Sequence, residues 1–156
     1  MYRFLLPLLA VLLIIGGCTK NVENSCPAVT LTAPDSQVAL LQRYIDSSGI
    51  TAVKDPRGFF YTIHDTGIGA KPTSCSLITI SYKGTLLNGT EFDSGHDKAM
   101  LLSQLINGWQ EGLPLIRKGG RITMYLPPYL GYGSRSSTAI PANSSLIFSI
   151  ELLNVR

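Results

Sequence analysis

Apolar residues recur at every second position through much of the chain after Gly58, and this period of two constrains the fold more than any other feature. It marks four strands: Phe59 to His64, Leu77 to Leu86, Arg121 to Leu126 and Ser145 to Asn154. In the second, Ile78, Ile80 and Tyr82 share one face while Thr79, Ser81 and Lys83 take the other. In the last two, Ile122, Met124 and Leu126, then Leu146, Phe148, Ile150 and Leu152, line a single side. Such alternation belongs to a sheet with one buried face. After the second strand, Asn88-Gly89 suits a tight turn because both residues tolerate positive φ. The segment LLSQLINGWQEGLPLIRKGG breaks the period: Trp109 and Leu113 lie four apart, and one short helix fits from about Asn107 to Leu113. Pro114 disfavours α geometry at Leu113 and ends or kinks the helix there. A sheet with one apolar face and a single central helix buries both stripes only by curling around that helix. The expected fold is therefore α+β, a curved antiparallel half-barrel wrapped around one short α-helix, with a short amphipathic helix ahead of it.

Residues 1–17, MYRFLLPLLAVLLIIGG, carry a short apolar run behind Arg3, the pattern of a secretory signal. The run ends in IGGC, Ile15 to Cys18, which resembles the bacterial lipobox. That resemblance implies cleavage before Cys18, acylation there and a lipid anchor, with an uncleaved anchor or an ordinary secretory peptide as alternatives. Thr19, rather than Asp, follows Cys18, which points to the outer membrane, facing the periplasm, in organisms that sort by this residue. Residues 18–34 are small and polar, with Pro27 and Pro34, and suit a tether. Residues 35–57 open with a helix: PDSQVALLQRYIDSSG places Val38, Leu41 and Ile45 on one face between a proline and Gly49. Packing against the domain is its plainer role, contact with a partner the alternative. Residues 58–156 form the globular domain. With Cys18 lipidated, Cys26 and Cys75 remain as an even pair, which in an exported chain favours a disulfide over two free thiols.

Charge excludes some functions. Thirteen basic and ten acidic residues give +3, and loss of Arg3 leaves +2, with no basic stripe for nucleic acid. Cys26, Cys75, His64 and His96 lack the close spacing of a zinc site, and no cofactor is implied. His64 on a strand and His96 in a loop read as surface residues, since neither has a Ser or Cys at a recognisable catalytic spacing. Asp93, in NGTEFDSG, invites the role of general acid, but no paired carboxylate or triad partner accompanies it.

Four separated segments carry a family likeness: ISYKGTLLNGTEFDSG, LINGWQEGL, LPPYLGYGS and AIPANSSLIFSIELLNV. In order and with suitable gaps, they resemble the FKBP-type peptidyl-prolyl cis-trans isomerases over about residues 58–156. The resemblance implies rotation about X-Pro bonds in an apolar hollow between sheet and helix, without covalent chemistry. It implies Trp109 as the floor under the proline ring, with Tyr82, Phe92 and Phe148 as walls and Leu105 and Ile140 completing the binding surface. It implies catalytic parts for Tyr82, Asp93, Ile106 and Tyr132, the Ile106 N–H and the Tyr132 hydroxyl holding substrate carbonyls. Asp93 becomes an ionised fixture at the pocket's edge, orienting Tyr82 or the substrate's carbonyl. Without the resemblance, Trp109, Phe148, Ile106 and Tyr82 would be read as plain core. X-Pro segments of folding exported proteins are the implied partners, together with macrolide-type inhibitors, and a monomer is expected.

The chain also departs from the family. The connection from Asp93 to Trp109 is short, so SGHDKAML is read as a loop that has lost part of the flap beside the pocket, with His96 or Lys98 as a partner for Asp93 and Met100 as filler. GSRSSTAIP is about one residue short, leaving a substrate-facing position unassigned near Ser136 and Ser137. Two functions stay open on these grounds: an active isomerase of the cell envelope, or a weakly active or inactive binding and chaperone module on the same scaffold.

Overall fold

A computed structural model describes residues 26–156, so the signal, Cys18 and residues 19–25 of the tether lie outside the described residues. After a helix α1 (Asp35–Ser47) come β1 (Val53–Lys54), β2 (Phe60–Asp65), β3 (Leu77–Leu86), β4 (Glu91–Leu101), α2 (Asn107–Gly112), β5 (Arg121–Leu126) and β6 (Leu146–Val155). The strands make one antiparallel sheet in the order β1-β2-β5-β6-β3-β4. Among the described residues no helix is long and apolar enough to cross a membrane.

The alternation translates into burial as expected. Ile78, Ile80, Ile122, Met124, Leu126, Leu146, Phe148, Ile150 and Leu152 are buried on one face and enclose Trp109 and Leu113. Helix α2 reaches this face through glycine: a Cβ on Gly108 or Gly112 would collide with Leu126 or Met124 respectively, so only bare backbone lets the helix lie so low in the trough. It stops at Gly112, one residue before the expected Leu113, and Pro114 sits in the 3-10 turn Leu113–Leu115 that follows.

Pro34 precedes α1 and Asp35 places an acid in its first turn, where the helix dipole favours negative charge. Its end is fixed by Gly49 N–H donating to the Asp46 carbonyl and Ile50 N–H to that of Ile45. Val38, Leu41 and Ile45 are buried in the same core as the sheet. By alternation, Phe60 and Tyr125 point away from the Met124 side, yet both are buried. The helix supplies the cover, with Val38 against Gly58 and Tyr44 beside Tyr125. Packing against the domain is thus its role here.

Residues ahead of α1 are docked too. Cys26 and Cys75 form a disulfide across 49 positions. Leu31 N–H donates to Glu111 Oε1 at 2.8 Å, and Ala33 N–H to the Arg57 carbonyl at 2.9 Å.

Two sequence expectations need correction. The stretch read as a shortened loop, SGHDKAML, is strand: β4 runs without a break and pairs with β3 along its length. What replaces a flap is a bulge, where the register slips between Ile80 and Tyr82 while Gly95 and Lys98 bracket His96 and Asp97 on the partner. His96 therefore lies on a strand, and neither it nor Lys98 pairs with Asp93. The turn before β4 also differs. Gly89 alone takes positive φ, at 84°, while Gly89 N–H donates to the Leu86 carbonyl and Leu86 N–H to that of Thr90. This is a three-residue hairpin loop with a bulge at the glycine, and Asn88 contributes its side-chain oxygen to the Thr90 N–H instead of an unusual backbone angle.

Candidate active site

Between the end of β4, the N-terminal side of α2 and the trough of the sheet lies a hollow of about 160 Å³. It is lined by Tyr82, Asp93, Met100, Leu105, Ile106, Trp109, Tyr132 and Phe148. Register explains the convergence. Gly84 pairs with Asp93 on one side and with Phe148 on the other, so these two side chains share the trough face across a residue that has none. Tyr82 follows on the same face of β3.

Trp109 is 4% exposed and forms the floor. The Tyr82 ring meets it edge-on at 5.1 Å and 78°, and the Phe148 ring at 5.0 Å and 86°. Such T-shaped pairs add about 0.5–1.5 kcal/mol each beyond the area they bury and fix the rings relative to one another. At the rim, Tyr82 Oη donates to Asp93 Oδ2 at 2.8 Å. Burial, then this hydrogen bond and the Asp93 charge, push the Tyr82 phenol up to about 12. Burial, then the same carboxylate's field, raises the Tyr132 phenol from its ordinary value. Both hydroxyls therefore stay protonated donors at neutral pH.

Among the described residues, the donors at the hollow that have no acceptor in the chain include the backbone N–H of Ile106, the hydroxyl of Tyr132 and the buried indole N–H of Trp109. Ile106 is held in place from behind. Gln110 reaches back from α2, its Nε2 donating to the Leu105 carbonyl at 2.6 Å and to that of Ser103 at 3.3 Å. Nothing in the sequence flags Gln110 for this, since a glutamine on a helix surface is ordinary until its amide is seen to bridge back over the turn. Tyr132 follows the 3-10 turn Pro128–Leu130, in a loop tied by Gly133 N–H to the Pro128 carbonyl.

Of the residues named from sequence, Tyr82, Asp93, Leu105, Ile106, Trp109, Tyr132 and Phe148 meet at the hollow, and Met100 joins them. Two do not. Phe92 is the extra residue of a second bulge, between the Gly84–Asp93 and Thr85–Glu91 pairs, and packs edge-on against Phe148 at 5.5 Å and 89°. It braces the Phe148 wall over Gly84, where an added Cβ would come within 2.7 Å of its ring and 2.9 Å of Phe148. Ile140 lines a neighbouring cavity of about 260 Å³ on the far side of Tyr132. The loop carrying it folds back through Ser137 N–H to the Ile140 carbonyl at 2.9 Å. His64 and His96 flank a separate open groove on the sheet's outer face, His64 Nε2 lying 2.9 Å from Thr123 Oγ1.

On the other side of α2, two residues beyond Trp109, Glu111 is buried. Burial raises its carboxyl from the ordinary value, opposed by the Leu31 N–H and by Arg57, whose Nε lies 3.9 Å from Oε2. Arg57 itself grips Asp55 through two side-chain hydrogen bonds, at 2.7 and 2.9 Å. The group anchors the pocket's helix and takes no part in the hollow.

Residues 69–153 match the family model of the FKBP-type peptidyl-prolyl cis-trans isomerases, more than half of the chain. The chain belongs to this family. Among its relatives, it is 44% identical over 121 residues to the FKBP-type peptidyl-prolyl cis-trans isomerase FkpA of Buchnera aphidicola subsp. Schizaphis graminum, covering 74% of this chain and 47% of that one. It is similar to the crystal structure of FkpA from Escherichia coli, with a TM-score of 0.70 and 34% identity over 78% of this chain and 60% of the other. A peptidyl-prolyl cis-trans isomerase from Pseudomonas syringae pv. tomato shares the fold at 23% identity, with a TM-score of 0.68, over 81% of this chain and 98% of that one. The chain spans about half the length, or less, of the curated relatives it matches. The curved sheet around a short helix is the FKBP architecture that the sequence implied.

Proposed function

We propose that this FKBP-type chain is a peptidyl-prolyl cis-trans isomerase that seats a proline ring on Trp109 and speeds X-Pro rotation without covalent chemistry. One observation carries the reading: an aromatic, ring-sized hollow at which, among the described residues, the Ile106 N–H and the Tyr132 hydroxyl are donors without an acceptor in the chain. Its volume, about 160 Å³, is below the roughly 300 Å³ of a typical drug-sized site, which suits one small apolar ring. Macrolide-type inhibitors would have to spread from it over the neighbouring cavities.

The uncatalysed rotation takes tens to hundreds of seconds over a barrier of about 18–20 kcal/mol. A turnover of about 10 per second requires roughly a thousandfold acceleration, or about 4 kcal/mol. Amide twisting abolishes resonance, makes the carbonyl less dipolar and puts electron density on the nitrogen. An apolar hollow therefore disfavours the planar ground state relative to the twisted one. Two hydrogen bonds to the flanking carbonyls hold the chain while the prolyl bond turns. Asp93 acts through Tyr82: by accepting a hydrogen bond from its hydroxyl it fixes the ring that walls the hollow. No proton needs to move.

The substrates we infer are X-Pro segments of exported proteins, and the site of action the bacterial cell envelope, with a lipid anchor at Cys18 and the outer membrane's periplasmic face as its place. The disulfide fits an oxidising compartment. Domain limits follow the same reading: signal 1–17, tether 18–34, helix and connection 35–57, isomerase domain 58–156.

A refolding assay limited by proline isomerisation tests the activity. Wild-type protein should accelerate the slow phase at catalytic ratios, and Trp109→Ala, checked for retained fold by circular dichroism, should lose at least tenfold. Equal acceleration by both proteins would detach activity from this pocket. Absence of acceleration by the wild type would leave the binding-module alternative in its place.

A further inference from the structure

Tyr132 is where three cavities meet. Besides the proline hollow, it lines the 260 Å³ cavity toward Ile140 and another of about 360 Å³ beside Gln104, Ile106 and Asn107. Arg135 lines both of these flanking cavities. A polypeptide whose proline sits in the hollow leaves it past Ile106 or past Tyr132, so its neighbouring residues run beside Arg135 on the way out.

The guanidinium is unspent. Among the described residues Arg135 makes no ion pair and no side-chain hydrogen bond, and no acidic side chain lines either cavity. The nearby Asp93 is engaged by Tyr82. Nor is the loop loose: Arg135 N–H donates to the Tyr132 carbonyl at 3.2 Å, and Asn143 N–H to that of Gly133 at 2.8 Å. The larger cavity adds amide donors from Gln104 and Asn107 to the cation. A donor-rich cleft with an unpaired cation on an ordered loop and no acid of its own is complementary to a carboxylate.

The geometry points to Arg135 as a specificity-determining residue that selects X-Pro segments bearing Asp or Glu next to the proline, with the carboxylate lodged beside Gln104 and Asn107. This rests on the isomerase reading above and names the substrates it favours. The pairing is open to solvent, and the Asp93 charge across Tyr132 opposes it, so a preference of about two- to fivefold in kcat/KM is expected. It should shrink with added salt.

The test uses the full chain and short peptides with Ala, Glu or Lys immediately before the proline, and a second set with these residues immediately after it. Both kcat/KM and Kd are measured at low and high salt for wild type, Arg135→Ala and Arg135→Glu. Glu should exceed Ala and Ala exceed Lys in at least one set; Arg135→Ala should bring the ratios near one, and Arg135→Glu should invert them. No Glu preference in either set, or one that survives Arg135→Ala, overturns the proposal. The Kd ratios decide it even if turnover is absent, an outcome that would sink the isomerase reading separately.

Discussion

Replacing Asp93 with asparagine separates an orienting acceptor from a proton donor. The change keeps the side chain's size and leaves an amide oxygen to receive the Tyr82 hydroxyl, now 2.8 Å from Asp93 Oδ2. A hydrogen bond to a charged partner contributes about 1.5–3 kcal/mol, and one to a neutral partner about half of that. At this solvent-open rim the loss discounts to about 0.5–1 kcal/mol, so kcat/KM on an X-Pro peptide should fall only about two- to fivefold. Tyr82→Phe removes the donor but keeps the ring against Trp109, at 5.1 Å, and should cost a similar amount. The double variant Asp93→Asn, Tyr82→Phe should lose little more than either single one, because both remove the same bond. The assay is kcat/KM from pH 6 to 8.5, with urea denaturation confirming that each variant folds. A loss of a hundredfold or more in Asp93→Asn with Tyr82→Phe unaffected, or a rate that follows one ionisation across that range, would refute the orienting role.

Three other outcomes follow from the same geometry. Gly84→Ala places a Cβ against both Phe92 and Phe148, and should destabilise by about 1–3 kcal/mol through overpacking while weakening peptide binding; unchanged urea midpoints would show that the two rings move aside freely. Cys26→Ser with Cys75→Ser opens a cross-link spanning 49 positions, which should lower stability by up to about 4 kcal/mol on the chain-entropy model, read as the urea midpoint with and without reductant. At alkaline pH, the Tyr82 phenol, raised to about 12 in the folded state from 10.0, keeps a proton that the unfolded chain has lost. Its contribution to stability is complete below about pH 10 and declines toward pH 12; Tyr82→Phe should flatten that decline, and an identical slope would contradict the assignment.

Much of the architecture was legible because burial and sequence share a period. Strands β3 and β5 fall where alternation places them, β2 and β6 shift by one residue, and α1 buries the three residues its spacing selects. Strand β4 was not legible, and its physics says why. It is an edge strand, exposed along most of its length, so no face demanded apolar residues, and Ser94 to Lys98 carry no alternation to read. Two bulges blur it further. The same cause hid how Phe92 is held: only the paired strands show it as the unpaired residue of a bulge, packed edge-on against Phe148. The rest of the site was readable only through the family resemblance. Trp109 and Phe148 look like core by pattern, and they are buried as core residues are; what makes them pocket is the concavity, a property of three dimensions.

The cross-link between Cys26 and Cys75 also sets a mechanical route. Tension applied to the chain ahead of Cys26 passes through the sulfurs to Cys75, two residues short of β3, and so into one of the sheet's most extensively paired strands. The intervening segment, with the Leu31 and Ala33 contacts and α1, is left out of the load path. Without the bond, the same pull would peel Leu31 from Glu111 and tug on the six-residue helix under the proline site. The disulfide is thus a strain relief, of the kind that keeps a tugged cable from disturbing the instrument it feeds.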